Sequence, residues 1–240
     1  MVDTNTPDLH LHEIILLLAL KTDTGAIAHQ ASCYYSTIMG AAVLTDLFLK
    51  ERIHIGESTR GFLGMKSEPK VSLLSSKLTG NPVMDECLSK ISNSAKERST
   101  SHWVQSFGNI RNLIKKSALP LVEKGILDAQ ERKIFFLFNK TYYPTISFEE
   151  RQAILHQIEQ AIFTNTETVD ERTSILIALL KEAEMLKMFF DRKALKAHKK
   201  RIQDITEGTF AGKAAKKAIE AANAAAMVAI SAGAVAATSG

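Results

Sequence analysis

The chain has 240 residues, 45% of them hydrophobic and 23% charged, a balance that argues against wholesale disorder and leaves enough apolar material for a self-sufficient core. Its two cysteines, Cys33 and Cys87, form no C-x-x-C pair, so neither a disulfide framework nor a thiolate zinc site is indicated. The net charge of +4 hides an asymmetry: residues 192–217 hold nine Lys or Arg against Asp204 and Glu207, so the basic character belongs to one region and the remainder is net negative.

Along the chain, residues 1–8 are expected to form a short tail with no positive n-region, and IILLLAL is too short for a membrane span. His10–Leu20 is apolar at nearly every position, which predicts a helix buried on most sides. A second helix is predicted from Tyr34, leading into a short strand at Ile53 and Ile55, and its small residues Gly40, Ala41 and Ala42 would admit another helix at close range. The Gly-, Ser- and Lys-rich stretch 56–82 reads as a surface loop carrying one short strand, KVSLLSS. Helices are then predicted at Val83–Ile91, His102–Phe107 and Ile110–Glu123, the last closing at Gly125.

IFFLF and TYYPTI, on either side of Asn139 and Lys140, predict a β-hairpin with its turn at that pair. Alternation would leave part of its apolar surface facing outward, to be covered by a bilayer, another subunit or neighbouring helices. Helices are predicted again at Phe148–Phe163, at Asp170–Phe190, through the basic segment to about Ile205, and in the Ala-rich end GKAAKKAIEAANAAAMVAISAGAVAA. With no internal repeat and no linker, the fold class expected is mostly α: one globular helical domain over residues 9–237 with a few short strands and an apolar β-hairpin.

Motifs for catalysis are missing. Neither phosphate-binding glycine loop occurs, nor G-x-S-x-G. Asp85 and Glu86 would diverge on a helix, and His10 and His12, two apart on a helix, would point roughly 200° apart and could not share a metal. No enzyme, cofactor or metal site is expected, and without an RNP motif or zinc finger nucleic acid is not an expected partner.

Five patches in order resemble the Golgi phosphoprotein 3 family of phosphatidylinositol 4-phosphate effectors. They are LHLHEIILLLALKTDTG, LTDLFLKERI, LTGNPVMDECLSKI with HWVQSFG, IRNLIKKSALPLVEKGILDAQERKIFFLF, and DERTSILIALL with EMLKMFF. The resemblance implies a helical domain that sits on cytosolic membrane faces by gripping a phosphoinositide headgroup, its apolar hairpin touching the bilayer or a second subunit. Arg111 falls on the first arginine of the family's R-N-x-R pair, while Ile114 falls on the second, with Lys115 one step beyond. The family's headgroup tryptophan falls near Gln30 and Ala31, and a further arginine falls on Met39 or Gly40.

The expected function is a cytoplasmic, peripheral membrane protein, on the Golgi if the source is eukaryotic. Arg111, Lys115 and Lys116 would meet an anionic lipid headgroup, and Ile134, Phe135, Phe136, Leu137 and Phe138 would make membrane or subunit contact. The alternative is a soluble scaffold that self-associates through the hairpin and binds acidic protein segments. Cytosolic tails of membrane proteins are further expected partners.

Overall fold

The computed structural model describes residues 9–58, 67–134, 138–210, 219–220 and 222–225, with backbone alone for 134 and 138. The expected tail at residues 1–8 and most of the Ala-rich end lie outside these, although Ile219, Ala222 and Ala225 are buried in the core. The fold is mostly α, as expected, with two small antiparallel sheets and one contiguous hydrophobic core.

Helix α1 (Leu11–Ala19) is the central rod, and every one of its residues is buried. Its first turn is secured by a reciprocal cap: the Glu13 carboxylate accepts from the His10 amide at 2.9 Å, and the His10 ring faces the amide of Glu13. A short α2 (His29–Ser32), unmarked by any apolar period, precedes α3 (Tyr35–Leu49), which packs on α1. The small residues of α3 do admit a helix. A Cβ at Gly40 would lie 2.0 Å from the Val104 carbonyl oxygen of α5 (Thr100–Gly108), and one at Gly108 would lie 2.2 Å from the Ser36 carbonyl oxygen of α3. The two backbones therefore touch at two reciprocal glycines, one from each helix.

Strands β1 (Ile53–Ile55), β2 (Lys70–Leu73) and β3 (Arg98–Ser99) form a small sheet in that order, with Ile53 opposite Leu73 and Val71 opposite Arg98. Helix α4 (Pro82–Ser92) opens with proline at its first position, behind Asn81, whose side chain accepts from the amides of Val83 and Met84. Helix α6 (Leu113–Glu123) starts three residues later than predicted, because Asn112 takes the left-handed conformation (φ 59°) and turns the chain into it.

The hairpin exists, but not with the predicted turn. Strand β4 (Gln130–Ile134) pairs with β5 (Phe138–Tyr142) in a register that sets Ile134 opposite Phe138, Lys133 opposite Asn139 and Arg132 opposite Lys140. Asn139 and Lys140 are thus strand residues, and the reversal falls between Ile134 and Phe138. IFFLF straddles the reversal instead of occupying one strand, which removes the basis for dividing its side chains between two strand faces. Phe135, Phe136 and Leu137 lie outside the described residues.

Helices α7 (Glu149–Phe163) and α8 (Glu171–Glu182) follow. The predicted helix Asp170–Phe190 breaks at Glu184, in the left-handed region (φ 56°), and continues as a 3-10 turn at Met185–Met188. The basic segment is likewise two helices, α9 (Arg192–Ala197) and α10 (Lys199–Thr206), meeting at His198. Among the described residues, no helix is long and apolar enough to cross a membrane.

Candidate functional site

The start of α6 and strand β5 of the hairpin line an open cleft of about 490 Å³. Asn112, Ile114 and Lys115 line it from α6, Lys140 from β5, and Tyr35 and Tyr143 from behind. Two lysines remote in sequence thereby face one concavity. Arg111 is exposed between Ile110 and Asn112, both lining residues.

The backbone adds to this positive field. The first intrahelical bond of α6 runs from the Lys116 amide to the Asn112 carbonyl at 3.0 Å, and among the described residues no side chain caps the helix. The amides of Ile114 and Lys115 therefore sit at the positive end of the helix dipole, where anions are stabilised. The Tyr35 hydroxyl is buried and meets no hydrogen-bonding partner among the described residues, and burial pushes its phenol pKa far up, so it stays a neutral donor. Burial also raises the Tyr143 phenol. Cations beside a helix N-terminus form a set that can hold a small anion.

The structure brings the residues named from sequence together only in part. Lys115 lines the cleft, while Lys116 is ion-paired with Glu86 of α4 and does not line it. Asp85 instead closes the preceding loop, accepting from the Thr79 amide at 2.6 Å and the Thr79 hydroxyl at 2.7 Å, so the adjacent carboxylates do diverge. Met39 is fully buried and Gly40 is pressed against α5, so neither position where an arginine was sought reaches the cleft. Tyr35 and Lys140 are the residues that sequence reasoning did not select. Lys140 enters the sequence reading as one of the two predicted turn residues of the hairpin, and nothing local marks Tyr35 as a cleft residue.

His10 and His12 are arranged otherwise than expected. His10 is extended and precedes the helix, so the helical divergence does not apply, and the two rings stack at 5.6 Å with 6° between planes. His12 is fully buried, its Nδ1 2.8 Å from Asp46. Burial lowers the His10 pKa, against the opposing pull of Asp46 and Glu13. No group of three His, Cys, Asp or Glu among the described residues could hold a metal ion.

A family model described as Golgi phosphoprotein 3 (GPP34) matches residues 11–222, nearly the whole described fold. The chain belongs to the Golgi phosphoprotein 3 family. Vacuolar protein sorting-associated protein 74 of Schizosaccharomyces pombe is 23% identical over 179 residues, which cover 70% of this chain and 52% of that relative. The chain thus spans about half the length of the curated relative it matches. Within the Golgi phosphoprotein 3 family this chain is divergent, at 23% identity to that relative, and Ile114 is among the residues that line its cleft.

Proposed function

We propose that this protein is a non-enzymatic peripheral membrane protein that holds a phosphoinositide or other anionic lipid headgroup in the cleft between α6 and β5. The single observation that carries the reading is the convergence of Lys115, Lys140 and the uncapped start of α6 on one concavity backed by Tyr35. A phosphate monoester is recognised by fixed positive donors, and arginine's fork suits it best. Arg111 is the exposed arginine available for that role, and Lys116, tied to Glu86, adds only a screened field. The 134–138 segment, adjacent to Lys140 in the same hairpin, supplies apolar contact with the bilayer or a second copy. The working unit is residues 9–237, acting on a cytoplasmic membrane face, that of the Golgi where the source cell has one.

Vesicle flotation tests this. Binding is expected on phosphatidylcholine vesicles carrying phosphatidylinositol 4-phosphate, weaker binding on phosphatidylserine vesicles, and none on phosphatidylcholine alone. Each basic residue near an anionic leaflet contributes about 1 kcal/mol, so Arg111→Ala with Lys115→Ala should weaken binding by about 30-fold. Equal failure on all three vesicles, together with a mass that halves in sedimentation when Phe136→Asp is introduced, would favour the self-associating scaffold instead.

A further inference from the structure

A second concavity, separate from the cleft, lies in the basic region. A groove of about 660 Å³ runs between the end of α8 with its 3-10 turn and the pair α9–α10. Its apolar floor is Leu186, Leu195 and Ile202, of which Leu186 and Ile202 are 5% and 7% exposed. Basic side chains stand around that floor, and their pairing differs. Lys187 is bound to Glu184 at 2.9 Å and Lys181 to Glu182 at 3.2 Å, while Glu207 accepts the Gln203 amide at 2.8 Å. Arg192, Lys196 and Lys199 are exposed and have no carboxylate within ion-pair distance among the described residues.

The local fold brings these three cations to one groove. Asp191 caps α9 by accepting from the amides of Lys193 and Ala194, which fixes where the helix begins. Arg192 and Lys196, four apart, then share one helix face. The break at His198 starts α10 with Lys199, and Leu195 and Ile202 remain on the groove side.

We infer that this groove binds an acidic amphipathic segment of a partner protein, with apolar side chains on Leu186, Leu195 and Ile202 and carboxylates on Arg192, Lys196 and Lys199. Charge complementarity selects an anion, and the recessed floor selects a segment that projects apolar side chains. A flat headgroup layer would meet the exposed cations but would not descend to Leu186 and Ile202. Exposed ion pairs are individually weak and screened by salt, so affinity comes from the apolar contact while the cations set partner choice and encounter rate.

The test uses the full chain and a fluorescein-labelled twelve-residue synthetic peptide of Glu and Asp interrupted by two leucines and a phenylalanine, followed by anisotropy. Binding is expected, weaker at about 300 mM than at about 50 mM salt. A variant with Arg192→Ala, Lys196→Ala and Lys199→Ala should lose about tenfold or more in affinity, with circular dichroism and melting unchanged. The same peptide with its apolar residues replaced by serine should bind about fivefold or more weakly. Arg111→Ala should leave peptide binding unaltered, so failure of the lipid cleft and failure of this groove are read separately. Equal affinity of the triple variant, or of the serine peptide, would overturn the proposal. So would a wild-type chain that ignores the peptide but loses phosphatidylserine vesicle binding in the triple variant, which would make the groove a membrane contact.

Discussion

Gly40→Ala is expected to destabilise the protein by about 3 kcal/mol, the upper end of what overpacking usually costs, and to lower its melting temperature by roughly 6–12 °C. The added Cβ would sit 2.0 Å from the Val104 carbonyl oxygen, and that oxygen belongs to the backbone of α5, which has no flexible end to swing aside. Relief requires the two helices to separate, yet Gly108 holds α5 equally close to Ser36 of α3. Separation would also loosen α1, which packs on the same helix α3. Gly40→Arg, which would place an arginine where the family's was sought, should be worse than alanine and should not tighten lipid binding. Thermal melting by circular dichroism decides the matter; an alanine variant melting within about 2 °C of wild type would show that the helices yield easily.

Asp46→Ala is expected to cost about 3–5 kcal/mol, since it removes one partner of a buried polar cluster and leaves the rest unpaired. Asp46 is 5% exposed and reaches from α3 to the start of α1, accepting from the Leu11 amide at 3.0 Å, the His12 amide at 3.3 Å and the His12 ring at 2.8 Å. It therefore serves the positive end of the central helix as a cap donated by another helix. Asp46→Asn keeps the shape but turns one oxygen into an amide donor facing a donor, so an intermediate loss is expected. Urea unfolding midpoints rank the three proteins, and an asparagine variant as stable as wild type would show that the second acceptor oxygen is dispensable.

Much of this architecture could be read from residue pattern. The stretch His10–Leu20, apolar at nearly every position, predicted a helix buried on most sides; the structure buries even His12 and Glu13, which pair with Asp46 and Asn81. The small residues at 40–42 predicted a close helix neighbour, since only a missing side chain permits backbone contact. Five family patches in order identified a fold that the structure and the family match bear out.

Errors arose where one residue overrode the surrounding pattern. Asn112 and Glu184 adopt left-handed backbone that periodicity does not register, so one helix starts late and another ends early. The run IFFLF looked like a strand because it is apolar throughout, but cross-strand hydrogen bonding pairs Ile134 with Phe138 and puts the reversal inside it. Residue pattern cannot see register when the apolar set has no alternation to fix it.

Length, the basic cluster after residue 191, the buried first helix and the order of motifs were determined by the sequence alone, because each depends on composition or on spacing along one element. Which cations share a surface was decided only by the tertiary structure. Lys115 and Lys140 meet because the start of α6 packs beside β5, Lys116 is diverted to Glu86, and Lys199, in the helix after the break at His198, lines the same groove as Arg192 and Lys196. Charge acts through space over ångströms, and the distance between two side chains is set by how the helices pack, which no local run of residues encodes.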